Sequence, residues 1–458
     1  MKSEFNAINV IAVACFASAS QVAYATDVFR MEGFGPISRA MGGAATAFNV
    51  GAAGMMANPA TLSLMAPGAE LHMGFDLVTT DINTKDRATG ERVSSDYRSN
   101  NRGPYLAPEV AYTYRNGALA LGVGAFAQGG LGTEYGKNSF LSRATGDLDT
   151  GLDNSSRLLV LNIPFAASYQ VNDKLTVGGS IDAMWQGLNL EMLLGANQVG
   201  ALIGAGRVSG SLVPVLGGLP DLRGAHFSLT KNRPLASGVD AWGFGGRIGM
   251  TYQVSNNTLF GAAYTIESEV NDMKGRATLT AIDGVAGKIP LEGNIKVRDF
   301  QMPAKLDIGL SHRFNDQWMM AADLSQVFWK HAMKDLNVGF AADSGGTIDI
   351  LLPQNYKNQT ILSFGVAYQT GNWTWRGGGR IATQALRSET LLAVIPAIPR
   401  KHISVGFSYA FSKENSIDFA YTHAFKESMD NASLPNSSVP IKVSHSQDNM
   451  TIGYVHRF

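Results

Sequence analysis

The chain closes on Met450-Thr451-Ile452-Gly453-Tyr454-Val455-His456-Arg457-Phe458, a stretch whose side chains alternate in character with a period of two. Met450, Ile452, Tyr454, His456 and Phe458 fall on one face; Thr451, Gly453, Val455 and Arg457 fall on the other. Successive residues of a strand point to opposite sides, so this ending reads as a strand with an apolar face and a small or polar face. A terminal strand ending in an aromatic residue, on a chain that opens with an export signal, is the pattern of a bacterial outer-membrane β-barrel. His456 departs from the apolar row and is expected at the periplasmic rim, where an imidazole stays hydrated.

The export signal is Lys2, an apolar stretch from Ile8 to Ala19, then Ala23-Tyr24-Ala25 as a cleavage site before Thr26. Glu4 weakens the positive start, so the reading rests on the apolar run and the Ala-x-Ala site. The single cysteine, Cys15, lies within this segment, so cleavage leaves 458 − 25 = 433 residues without a thiol. That excludes a disulfide framework and a thiolate metal site; acylation of Cys15 as a lipoprotein is the alternative use. Charged residues are 16% of the chain, against about 25% in soluble domains. The formal net charge of zero gives no reason to expect nucleic acid as a partner. The apolar run around Val10 to Phe16 is too short to cross a bilayer as a helix.

Six short Asn-containing punctuations recur: Arg115-Asn-Gly117, Val171-Asn-Asp173, Ser255-Asn-Asn257, Phe314-Asn-Asp316, Thr370-Gly-Asn372 and Lys413-Glu-Asn415. Asn and Gly tolerate the positive φ of tight hairpins, so each reads as a turn. Alternating segments flank them. Trp242, Phe244, Ile248, Met250 and Tyr252 form one row opposite Gly243, Gly245, Arg247, Gly249 and Thr251, and Leu362 to Gln369 and Ile403 to Phe411 repeat the pattern. Longer polar or Gly-rich connections lie between, at 83–108, 137–157, 193–238, 281–293, 341–356, 387–400 and 429–444. Seven long and six short connections join fourteen strands, so the expected fold is all-β: a 14-stranded antiparallel transmembrane β-barrel with its short turns toward the periplasm. The stretch before the first strand, Val28 to Met65, has no period-two pattern and carries Pro and Gly breaks. It cannot cross lipid without leaving backbone groups unsatisfied. It is therefore read as a plug folded inside the lumen, giving three units: residues 1–25 as signal peptide, 26–68 as hatch and 69–458 as barrel.

The hatch residues Phe34-Gly-Pro-Ile-Ser-Arg-Ala-Met-Gly-Gly43 and Asn58-Pro-Ala-Thr-Leu62 resemble the FadL/TodX family of outer-membrane hydrophobic-compound channels. Asp323-Leu-Ser-Gln-Val-Phe-Trp329, Trp373-Thr-Trp-Arg-Gly-Gly378 and Ile395-Pro-Ala-Ile-Pro-Arg400 extend the resemblance over the mature chain. Asn100-Asn-Arg-Gly-Pro-Tyr105, Gly132-Thr-Glu-Tyr-Gly136, Ser155-Ser-Arg-Leu158 and Leu188-Asn-Leu-Glu-Met192 make it most similar to the aromatic-hydrocarbon branch. The resemblance implies a channel in the outer membrane of a Gram-negative bacterium, taking up hydrophobic molecules such as toluene by passive diffusion. Long-chain fatty acids are the near alternative, and a surface adhesin or receptor the distant one.

The resemblance also implies an inward kink in the third strand, Ala118 to about Tyr135, opening a lateral gap beside the hatch. Gly129 and Gly130 are the candidate kink, since consecutive glycines in a strand often mark a bulge or a close backbone approach; Asn58, Pro59 and Ala60 are the candidate stopper facing it. Plain strand flexibility is the competing reading. Leu193, Leu194, Val199, Leu202 and Ile203 are candidates for capture on an outer loop, with mutual packing as the bland alternative. Arg157 and Lys137 could meet a fatty-acid carboxylate or, equally, lipopolysaccharide phosphates. Arg39 is expected to satisfy carboxylates of the barrel wall, and Glu267 and Glu269 to lie on that wall. No catalytic residue, metal site or cofactor is indicated: Gly243-Phe-Gly245-Gly246 has strand spacing, and His331, His402, His423 and His445 share no ligand spacing. The expected partners are a hydrophobic small molecule, outer-membrane lipid and lipopolysaccharide, with the protein a monomer.

Overall fold

The computed structural model describes residues 28–96, 105–229 and 238–458, so the expected signal segment, with Cys15, and most of 100–105 lie outside the described residues. The wall is an antiparallel sheet closed on itself. Its circuit begins with β1 (Gly68–Val78), β2 (Tyr105–Asn116), β3 (Leu119–Gly136), β4 (Asn154–Gln170), β5 (Leu175–Gly195) and β6 (Asp240–Ser255). It continues through Thr258–Thr265, Lys305–Arg313, Trp318–Val327, Gln359–Thr370, Trp373–Ala382, Lys401–Ala410, Asn415–Asn431 and the C-terminal strand Ile441–Arg457. That last strand pairs with β1 from Glu70↔Arg457 to Val78↔Asn449 and closes the circuit. Closure removes the two outermost edges that an open sheet would expose to an apolar solvent.

All six expected turns join neighbouring strands of the circuit, and Gly117 and Gly371 take the positive φ that selects glycine there. They share one end of the barrel with the chain's closing residues. His456 lies at that end, with its Nδ1 2.8 Å from Asn415 Oδ1 and its ring edge-on to Phe458. Aromatic side chains gather there as well: Trp318 against Tyr368 at 4.6 Å and Trp373 against Tyr409 at 4.4 Å between ring centroids. Tyr and Trp favour the boundary between hydrocarbon and water, where one part of the ring is dry and its polar atom is wet. Above this belt the alternation holds: Trp242, Phe244, Ile248, Leu362, Phe364, Ile403 and Val405 are exposed on the outer face, while Arg247, Thr251, Ser363 and Ser404 are buried on the inner one.

The sheet as a whole departs from the fourteen strands expected. Among the described residues the sheet has 23 strands, because the long connections are themselves built of strand pairs. The connection expected at 281–293 is the tip of a hairpin, Met273–Asp283 against Gly287–Arg298. Likewise 341–356 lies within Asp335–Ala342 and Thr347–Pro353, and 193–238 contains a helix, Ala196–Gly204, and a strand, Leu222–Leu229. Gly-rich polar composition marked these segments as loops, but cross-strand pairing decides a strand more than composition does. Glu267 also departs: it lies in a break between strands and meets His331 at 3.0 Å rather than the inner wall, while Glu269 is exposed.

Residues 28–67 form a short helix, Gly35–Ala40 with Pro36 in its first turn, and two 3-10 turns, Gly51–Met56 and Pro59–Leu64. They lie against the inward face of strands from around the whole circuit. A side chain at Gly249 would collide with Asn58 Oδ1, at Gly261 with Thr46 O and at Gly378 with Gly42 N, and one at Gly453 would crowd Pro36. Much of the wall's glycine thus makes room for this segment. Its own small residues let the backbone approach that closely.

Candidate functional site

The N-terminal segment is pinned by buried polar contacts. Arg39 reaches Glu32 at 2.7 Å and Asp76 of β1 at 3.0 Å, as expected of a charge that satisfies the wall. Burial would raise the Glu32 carboxyl, but Arg39 and His402 outweigh it and hold its pKa at about 2. Asp323 accepts bonds from the backbone amides of Ala45 and Thr46 and from the Thr46 hydroxyl. Asn58 donates to Thr46 O and Met250 O and accepts from Ala60 N, capping the turn that Pro59 opens.

This placement corrects the stopper assignment. Asn58, Pro59 and Ala60 press on Gly178 of β5 and Gly249 of β6 rather than on Gly129 and Gly130 of β3. What faces Gly129 and Gly130 is Phe29-Arg30-Met31, which runs beside β3 as a short added strand. Gly130 N donates to Phe29 O at 2.8 Å, Met31 N to Gln128 O at 3.1 Å, and Arg30 bridges Gly129. β3 bulges between Ala127 and Gly129 where it pairs with β4, beside the glycines expected to kink it. Gly129 is required by close approach: a side chain there would collide with Phe29 O. Phe29 itself is buried, its ring 5.5 Å from Trp329 in edge contact and 6.0 Å from Phe300 in a stack.

The bulge opens a seam in the wall. β2 and β3 pair from Asn116↔Leu119 to Glu109↔Phe126 and no further, although both strands continue. Pro108 lies at the first unpaired step of β2, and a proline cannot donate to a ladder. The seam ends again where the Tyr105 ring lies over Gly132. Behind it is a cavity of about 310 Å³. Val28, Arg30 and Glu32 line it from the N-terminal segment, Tyr105, Leu106 and Ala107 from β2, and Gly129, Gly130 and Thr133 from β3. Pro396, Ala397 and Pro399 supply another wall, together with His445, whose Nδ1 lies 2.7 Å from Pro396 O. Leu106 is 59% exposed on the outer face, so the cavity's lining runs from lumen to lipid side at the seam.

The other expected positions separate. Arg157 lines the cavity, its guanidinium 5.8 Å from the centre of the Tyr105 ring, whereas Lys137 is exposed beyond the end of β3 and does not reach it. Leu193 and Leu194 end β5 buried under the outer elements, and Val199 and Leu202 are buried on the inner side of helix Ala196–Gly204. Ile203, at 40% exposure, is the one of the five that is exposed. Four of these candidates therefore fill a core. The cavity residues from Pro396 to Pro399 and at the seam, Pro108 included, were not singled out as site residues. The signal for them was present as prolines in otherwise strand-like or motif sequence.

The family model described as outer membrane protein transport protein (OMPP1/FadL/TodX) matches residues 10–458. The solved Pseudomonas putida toluene transporter TodX is 40% identical with a TM-score of 0.83, over 94% of this chain and 100% of that one. The Ralstonia pickettii toluene transporter TbuX is 47% identical with a TM-score of 0.80, over 93% and 99%. The long-chain fatty acid transport protein of Salmonella typhi is 23% identical over 313 residues, 66% of this chain and 68% of the relative. With the family model spanning the barrel, its inner segment and the seam alike, the chain belongs to the outer membrane protein transport family (OMPP1/FadL/TodX).

Proposed function

We propose that this protein, an outer-membrane transport protein of a Gram-negative bacterium, takes up monoaromatic hydrocarbons such as toluene and releases them sideways through the β2–β3 seam. The observation that carries the reading is the cavity joining the N-terminal segment to a break in the wall. At about 310 Å³ it lies at the low end of ligand pockets, ~300–1,000 Å³, a size suited to one small ring. The toluene transporters at 40% and 47% identity support the same substrate class.

In this reading residues 28–67 are a hatch: they block a straight path along the lumen and leave the seam as the exit. An apolar solute that leaves through the seam enters hydrocarbon, and each CH₂ kept from water contributes roughly 0.8 kcal/mol, so transfer needs no energy source. The protein works as a monomer by transport alone, without a catalytic residue, metal or cofactor. Ile203 is retained as a capture residue; Leu193, Leu194, Val199 and Leu202 support the helix that presents it. Gly129 and Gly130 shape the exit, while Asn58, Pro59 and Ala60 fasten the hatch to β5 and β6.

Long-chain fatty acids are the second reading, favoured by Arg157 at the cavity, where a guanidinium can meet a carboxylate. Uptake of labelled toluene and labelled oleate at limiting concentration, in cells lacking other hydrophobic channels, separates the two. The account predicts a gain for toluene on expressing this protein. A gain for oleate alone would transfer the assignment to fatty acids and make Arg157 the first residue to replace.

A further inference from the structure

We propose that the outward face of the outer extension of the barrel carries a binding site for a phosphate of lipid A, the phosphorylated glycolipid of the outer leaflet. The site lies on the hairpin Met273–Asp283 and Gly287–Arg298 and its neighbour Asp335–Ala342. Register fixes which side chains share its outer face. Lys274 stands opposite Lys296, which stands opposite Gly339; Arg276 stands opposite Asn294; and Arg298 follows two residues after Lys296. The alternate residues Met273, Ala277, Leu279, Ile295 and Val297 are buried on the inner side. Lys274, Arg276, Lys296 and Arg298 therefore converge from two strands on one shallow groove, where Gly339 leaves room beneath Arg298.

The height of this groove identifies the ligand. It lies toward the end of the barrel opposite the tight turns and chain end. Asp240, where β6 begins, pairs with Lys274, and two residues further along β6 is Trp242, followed by Phe244, both exposed on the outer face. The cations thus begin where the apolar outer face stops. Lipid phosphates occupy that level, just outside the hydrocarbon. Basic residues at a charged membrane surface contribute about 1 kcal/mol each, or roughly fivefold in affinity.

Three of the four cations have carboxylate neighbours: Lys296 with Asp272 at 2.6 Å, Arg298 with Asp349 at 2.7 Å, and Arg276 with Asp343. These pairs are partly to fully exposed to solvent, where an ion pair contributes little, so they yield to a multiply charged phosphate. Lys274 has no ion-pair partner among the described residues. It is the cation available to a ligand without any exchange.

The test uses the full-length detergent-purified protein and its triple variant Lys274→Gln, Arg276→Gln, Lys296→Gln, titrated with bisphosphorylated lipid A, dephosphorylated lipid A and inorganic phosphate. The prediction is that the parent binds bisphosphorylated lipid A about tenfold or more tightly than the variant does, and prefers it to the dephosphorylated form. Lys413→Gln, in a turn at the opposite end, should bind like the parent, and unchanged heat-dependent gel mobility of all three proteins reports an intact barrel. Equal affinity of parent and triple variant would overturn the site. So would indifference to the lipid's phosphates, and inorganic phosphate binding as well as lipid A would overturn the lipid assignment.

Discussion

Gly129→Val is expected to lower toluene uptake at limiting concentration by about tenfold or more while leaving the barrel assembled. The argument is steric. Even the first carbon of a side chain at this position collides with the carbonyl oxygen of Phe29, which accepts the bond from Gly130 N. Valine adds two further methyls to that conflict, and overpacking of this kind costs ~1–3 kcal/mol where the neighbour cannot retreat. Phe29 is held by Trp329 and Phe300, so the segment yields by losing its pairing to β3. Val28, Arg30 and Glu32 then no longer complete the cavity. The β3–β4 ladder on the other edge is untouched, which is why assembly survives. Gly130→Val provides the comparison, since its added carbon would stand 2.8 Å from Leu158 O and presses on the wall instead. Uptake measured alongside heat-dependent gel mobility checks both; wild-type uptake by Gly129→Val would remove the kink from the transport path.

Arg39→Ala is expected to release the N-terminal segment from the wall. Arg39 is buried between Glu32 and Asp76, and removing one partner of a buried pair leaves the remaining charge uncompensated at a cost of ~3–5 kcal/mol. Two carboxylates are left here, and Glu32 keeps the Asn449 amide at 3.2 Å and the nearby His402. The segment has no strand ladder of its own to absorb that loss. The barrel does, through a closed circuit of paired strands. Hydrogen exchange should therefore rise sharply across residues 28–67 and stay slow in the strands. Uniformly raised exchange would instead make the segment an integral support of the barrel; unchanged exchange would show that Arg39 anchors nothing.

The two variants act on what sequence could and could not reveal. The wall was legible because its code is local: period-two rows such as Trp242 to Tyr252 report which face meets lipid, and Asn- or Gly-containing turns report where the chain reverses. The segment at 28–67 was legible as something other than wall, since its Pro and Gly breaks fit neither strand nor lipid. Its azimuth inside the barrel was not. Nothing near Asn58 in sequence says that it docks on Gly178 and Gly249, because that contact depends on how the segment winds through the lumen. The outer elements were misread for a related reason. Leu193, Leu194, Val199 and Leu202 look like an exposed apolar loop until the helix and strands around them form, and then they are its core. The seam sits between these extremes: the paired glycines of β3 were visible, but Pro108 gains its meaning only beside the strand it fails to pair with.

The central claim is that an apolar solute leaves through the seam between β2 and β3. The chain's only cysteine is Cys15, so in a Cys15→Ser background a single cysteine placed in the wall can be labelled alone. Leu106→Cys places it on the exposed outer edge of the seam, and Ile403→Cys places a control on the outer wall away from the cavity lining. The measurement is toluene uptake before and after labelling each with a bulky membrane-soluble maleimide. The account predicts that the label at position 106 blocks uptake and that the label at 403 leaves it unchanged. Uptake that survives the label at 106, or falls equally with both, would contradict lateral release through this seam.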